Sequence, residues 1–197
     1  MRRGKRQTPV ELPTMEQIQQ ERKRLRYQRK YRRTLKSTVS ILIVVAALAI
    51  LVATLWMPVL QIYGTSMTPT LTDGDIIFTV KTHEFDSGDI VAFYYNNKIL
   101  VKRVIAESGD WVNIDADGTV YVNDVALKEP YLDEKALGDT DIQLPYQVPD
   151  GKVFVLGDHR ATSVDSRNTA VGCVGQEQIV GRILFRIWPL ERVGVIK

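Results

Sequence analysis

From Ser37 to Thr72 the chain carries no charged residue, and Val39–Leu60 is a run of 22 residues interrupted only by Ser40 and Thr54. As a helix, that run is about 33 Å long. The hydrocarbon core of a bilayer is about 30 Å thick, so the run predicts a membrane span. Trp56 falls near its far end and Tyr63 just beyond, where interfacial aromatics belong. Pro58 is expected in the last turn. A buried core helix and a cleaved secretory signal are the alternatives. The basic stretch before the run is too long for a signal, and the apolar core exceeds the usual 7–15 residues. The run ends in Leu-Trp-Met-Pro-Val-Leu, which is too bulky for a small-residue cleavage site. The pattern therefore predicts a retained anchor.

After Leu60 the pattern changes to short β-rich runs. Asp75–Val80, Ile90–Tyr95, Ile99–Ile105, Trp111–Ile114, Thr119–Val122, Lys152–Leu156 and Ile179–Ile187 read as strands. Asp73-Gly74-Asp75, Ser87-Gly88-Asp89, Tyr95-Asn96-Asn97, Asp117-Gly118 and Asp150-Gly151 read as the turns between them. No long helical periodicity follows residue 60. Short strands with tight turns predict a mainly β fold, an antiparallel and partly closed sheet behind a single N-terminal transmembrane helix. The stretch 129–149, with Pro130, Pro145 and Pro149, reads as an irregular excursion. The expected organisation is a basic head over 1–38, a span over 39–60 and a β-rich domain over 61–197.

Charge sharpens this division. Residues 1–38 hold 13 Lys/Arg against 3 Asp/Glu, and residues 39–197 hold 13 against 20. The positive-inside rule places the head in the cytoplasm and the β domain outside, at the plasma membrane. The run Arg22 to Arg33 suggests nucleic acid in isolation, but beside a span it fits anionic lipid better, so no nucleic-acid partner is expected. Thr14 with Gln17 forms the pattern of a capping box for a charged helix. Residues 1–13 are expected to be disordered. One cysteine, Cys173, excludes an intrachain disulfide and a cysteine zinc cluster, and two histidines leave little scope for a metal site.

Three segments could carry chemistry. Gly64–Leu71 mixes small and hydroxyl residues and holds Ser66. It reads either as an ordinary turn or as a nucleophile segment, because an attacking serine needs a tight backbone and nearby N–H groups. No histidine stands ready as its base: His83 lies in a polar turn and His159 in a charged loop. On the strand Lys98–Ala106, alternation puts Leu100, Lys102, Val104 and Ala106 on one face. Lys102 then either snorkels to water or is desolvated, with its pKa lowered toward neutrality. Leu156–Arg167 follows an apolar strand and is dense in hydrogen-bonding groups. It reads as a surface turn or as a rigid loop that delivers hydroxyls and an Asp/Arg pair.

Taken in order after a single anchor, these segments resemble the type I signal peptidases of bacteria, membrane-bound serine proteases with a Ser-Lys dyad. The resemblance rests on Gly64–Leu71, Asp73–Ile77, Gly88–Val91, Lys102–Ile105 and Gly157–Arg167. The shortness of residues 104–156 is similar to the compact Gram-positive form. The resemblance implies Ser66 as nucleophile, neutral Lys102 as general base and Ser163 as the hydroxyl that orients the lysine. It implies the Ser66 N–H as one oxyanion donor. At Gly64, where many Gram-negative members carry a serine, a backbone N–H or water must replace the hydroxyl. Asp165 and Arg167 match an ion pair that holds the loop, with Asp158 in the same support. His159 departs from the Asn that many members carry.

Ile62, Met67, Leu71, Leu100 and Val101 are the apolar residues expected to line shallow substrate pockets for small side chains. The substrate, the signal peptide of a secretory preprotein, would add as a strand beside Ile99–Val101. No metal or organic cofactor is implied. Two rivals stay open: a soluble self-cleaving repressor-type Ser-Lys protease, and a single-pass β module that binds without catalysis. The anchor opposes the first, and intact Ser66, Lys102 and Ser163 oppose the second.

Overall fold

The computed structural model describes residues 14–56, 58–82 and 84–196, without the side chains of Leu55 and Trp56. The expectations for residues 1–13, for His83 and for the Trp56 ring lie outside these residues. The chain forms two compact units that divide after Val52.

One continuous helix, α1, covers Met15–Trp56. Thr14 caps it: its N–H donates to Gln17 Oε1 at 2.9 Å, and the Gln17 N–H donates to Thr14 Oγ1 at 3.4 Å. These bonds satisfy helix-end donors that would otherwise lack partners. The basic and the apolar stretches thus lie on one continuous helix rather than on two elements. The apolar half is exposed to its surroundings and is long and apolar enough to cross a membrane. The helix stops at Trp56, not at Leu60, because Pro58 has no N–H to continue the ladder. Val59–Gln61 becomes strand β1 instead.

The second unit is antiparallel β. Its further strands are β2 Ile76–Val80, β3 Ile90–Tyr95, β4 Lys98–Ala106, β5 Trp111–Ile114, β6 Val120–Val122 and β7 Val125–Ala126. β8 Tyr146–Gln147, β9 Lys152–Leu156, β10 Val174–Gly175, β11 Ile179–Trp188 and β12 Gly194–Val195 complete the set. The larger sheet runs β1-β2-β11-β3-β4-β9-β10, with β12 paired to β11, and the smaller runs β7-β6-β5-β8. Both sheets are open among the described residues.

Turn chemistry sets the registers. Asn96 and Asn97 have φ of 44° and 62°, and they join Tyr95 to its partner Lys98. Two successive positive φ values twist a two-residue hairpin in the same sense as its strands. Asn123 and Asp124 do the same between β6 and β7. Apolar side chains such as Val112, Val120, Phe154 and Leu156 form one core cluster. Val91, Phe93, Val104 and Val155 form a second, and Ile62, Met67, Leu71 and Ile77 a third. Burial of each such side chain contributes about 1.5–3 kcal/mol. The excursion 129–149 is irregular apart from β8.

Candidate active site

Ser66 stands in the loop between β1 and β2, Lys102 in β4, and Ser163 in the loop between β9 and β10. β4 and β9 pair antiparallel, with Arg103 opposite Leu156. The chain that leaves β9 at Gly157 is therefore delivered to the level of Lys102.

Lys102 is only 3% exposed, so its amine does not snorkel to water. Its Nζ donates to Ser163 Oγ at 3.0 Å. Burial lowers its pKa from 10.5 to about 8; the Asp165 carboxylate opposes the shift, Arg167 adds to it, and Asp158 opposes it. Leu100 and Val104 lie in one core cluster, as alternation requires. Ala106 lies in another, because the register shifts between Val104 and Ala106.

Gly157 joins the two serines. A Cβ there would lie 2.2 Å from Ser163 Oγ and 2.5 Å from the Ser66 carbonyl oxygen, so only glycine fits without displacement. The His159 N–H donates to that same carbonyl at 3.0 Å. Its imidazole is exposed and pairs with Thr162 Oγ1. The backbone of residue 159, not its side chain, therefore holds Ser66. Among the described residues neither Ser66 Oγ nor the Ser66 N–H makes a hydrogen bond.

Gly64 has a φ of +90°, and its N–H donates to Asp73 Oδ1 at 2.7 Å. That N–H is occupied in this structure, so a replacement for the missing hydroxyl has to come from another donor. In the sequence, Asp73 falls in a turn and in one segment of the resemblance, with no role marked for its side chain.

Two buried ion pairs lie near Lys102, and a third holds the Gly157 loop. Arg167 grips Asp165 with two bonds of 2.8 Å, and its remaining donors reach the carbonyls of Leu137 and Arg160. Asp165 Oδ2 also accepts the Gly157 N–H at 3.0 Å. Asp158 is gripped by Arg103, the residue after Lys102, at 3.0 and 2.7 Å. Arg160 pairs with Glu129 from the excursion and donates to the Gly157 carbonyl at 3.1 Å. The sequence pattern named Asp158, Asp165 and Arg167 but not Arg103, Arg160 or Glu129. A charged residue beside Lys102 within the apolar run of β4 was the available signal for Arg103.

A cleft of about 560 Å³ opens at Ser66, between residues 60–67 and the start of β4. Ile62, Met67, Leu100 and Val101 line it, together with Leu60, Gln61, Tyr63, Gly64, Lys98 and Ile99. Leu71 does not. It is fully buried in the core with Ile77 and Ile183, because the chain turns inward after Pro69 and Thr70. On the side of β4 away from β3, residues 98–102 have no strand partner, since β9 pairs only from Arg103 onward. Among the described residues no group of three or more His, Cys, Asp or Glu could hold a metal ion.

The family model described as signal peptidase, peptidase S26, matches residues 34–188. A signal peptidase I from Bacillus licheniformis is 37% identical over 171 residues, which cover 79% of this chain and 89% of the relative. A signal peptidase I from Streptococcus pneumoniae is 32% identical over 203 residues, covering 83% of this chain and 98% of the relative. A crystal structure of a signal peptidase I from Enterococcus faecalis V583 matches 50% of this chain and 96% of that chain. Its identity is 31% and its TM-score 0.42.

Proposed function

Because the chain belongs to the signal peptidase family, peptidase S26, we propose that it removes signal peptides from preproteins with Ser66 as nucleophile and Lys102 as general base. It is a serine endopeptidase. One observation carries the dyad: a buried amine, held by Ser163 and with its pKa lowered to about 8, lies one glycine away from the Ser66 segment.

The steps follow from these groups. Neutral Lys102 takes the Ser66 Oγ proton as Oγ attacks the scissile carbonyl. The developing oxyanion accepts the Ser66 N–H, which has no competing partner. The Lys102 ammonium then gives its proton to the leaving amine, and the acyl group stays on Ser66 Oγ. Lys102, neutral again, takes a proton from water, whose oxygen attacks the ester; as the Oγ–acyl bond breaks, Lys102 returns that proton to Ser66 Oγ and the signal peptide is freed as the carboxylic acid. Ser163 orients Nζ, and the Asp165–Arg167 and Asp158–Arg103 pairs hold that arrangement rigid. The signal peptide lies extended in the cleft along the open edge of β4, with its small residues at the first and third positions before the bond.

The apolar half of α1 is the membrane span in this reading. Its basic half stays on the cytoplasmic side against anionic lipid rather than nucleic acid, and the β unit stands outside.

Cleavage of a secretory preprotein by the detergent-solubilised chain, beside Ser66→Ala and Lys102→Ala, tests the dyad. The expected result is removal of the signal at a small-x-small site by the wild type, and loss of at least about 10³-fold in both variants with thermal melts retained. The rate should rise about tenfold per pH unit below pH 8 and level off above it. Equal cleavage by all three chains would refute the assignment. No cleavage of any preprotein would favour a β module that only binds.

A further inference from the structure

Among the described residues that line the cleft, only Lys98 carries a charge. It opens β4, directly after the Asn96-Asn97 turn, and is exposed. Its amine makes no hydrogen bond or ion pair among the described residues. Lys98 stands four positions before Lys102 on an edge that pairs with β3 on one side and is open on the other.

An extended chain advances about 3.3 Å per residue. The cleft is lined by Ser66 and by the four β4 residues before Lys102, Lys98 to Val101, so a substrate whose scissile carbonyl sits at Ser66 and whose upstream residues run along that edge toward the start of β4 passes Lys98 four or five residues before the bond. There the cation meets a substrate side chain at the rim, where the rest of the wall offers no charge. This argument rests on the reading of Ser66 and Lys102 given above. We infer that Lys98 reads substrate charge at the fourth and fifth residues before the scissile bond, favouring a carboxylate and opposing Lys or Arg. The interaction is exposed, so its expected size is about two- to fivefold, and it weakens as salt rises.

The test uses the full chain in detergent and peptides with small residues at the first and third positions before the bond. The peptides carry Glu, Gln or Lys at the fifth position, with a parallel set at the fourth. The quantity read is the ratio of kcat/KM for the Glu and Lys peptides within each enzyme. That ratio should exceed one in the wild type, fall to about one in Lys98→Gln and drop below one in Lys98→Glu. Added salt should shrink the wild-type preference. A ratio that is the same in all three enzymes overturns the inference and leaves the dyad standing. So does an equal, enzyme-dependent effect when the charge is moved to the eighth position, because that would be a long-range field. Cleavage of the Gln peptide by Ser66→Ala at the wild-type rate would instead overturn the site reading itself, and Lys98 with it.

Discussion

The two halves of the site are held by different physics. The Ser66 segment is partly exposed and is fixed by backbone contacts: the His159 N–H on its carbonyl, the packing of Gly157 against that carbonyl, and the Asp73 carboxylate on the Gly64 N–H. The Lys102 half is buried and is fixed by charge, through Ser163 and the Arg167–Asp165 and Arg103–Asp158 pairs. Under the proposed reaction the difference follows from the task of each group. A nucleophile must meet solvent-borne substrate, so it cannot be sealed under side chains. A lysine base must lose its proton near neutrality, so it must be desolvated, and the nearby carboxylates must not restore its charge. Asp165 and Asp158 are each committed to an arginine, which limits their pull on Nζ.

Arg167→Ala should have the largest effect. It leaves Asp165 buried and unpaired and orphans the carbonyls of Leu137 and Arg160. The expected loss is about 3–5 kcal/mol in chemical denaturation, with activity lost alongside. A loss below about 1 kcal/mol would show that charge does not organise this half.

Lys102→Met should act in the opposite direction on stability. The folded pKa of about 8 lies below the unfolded value of 10.5, so the protonated lysine opposes folding by roughly 3 kcal/mol below pH 8. That cost should fade as pH rises from 8 to 10.5, where the unfolded lysine also loses its proton. The variant should therefore be more stable than the wild type at pH 7 and gain little near pH 10.5, as read from denaturant midpoints at both values.

Gly157→Ala tests the link between the halves. Its Cβ would force apart the Ser66 carbonyl and Ser163 Oγ, and kcat/KM should fall about 10²-fold. A variant that cuts at the wild-type rate would mean that the two halves need not be so close.

His159→Asn is the smallest change. Its backbone N–H remains on the Ser66 carbonyl, so cleavage rate and melting temperature should change less than about twofold and 2 °C. A larger loss would give the imidazole a role of its own.

Legibility in the sequence divided along similar lines. The span, the main strands and the hairpin at Asn96-Asn97 follow from local pattern, because apolar period and turn chemistry act over a few residues. Ser66, Lys102 and Ser163 could be named because each lies in a short, distinctive segment. Arg103, Arg160 and Glu129 could not, since their pairing joins residues 31 to 55 positions apart. Leu71 was misplaced for a related reason: hydrophobicity marks it as apolar but does not tell a cleft wall from a core. The helix end was misplaced because Pro58 was allowed inside the last turn, whereas Val59–Gln61 finds hydrogen bonds with β2.

By itself the sequence determined that this chain has one apolar span behind a basic head, an antiparallel β unit after it, and a serine and a lysine on separate segments of that unit. Those properties depend on local periodicity and charge. Only the tertiary structure decided that Lys102 is dry, that Gly157 sets the two serines against each other, that Asp73 occupies the Gly64 N–H, and that one open edge of β4 faces an apolar cleft. Each of these depends on strands distant in the chain coming to lie side by side, and burial, and with it the pKa of the lysine, exists only once they do.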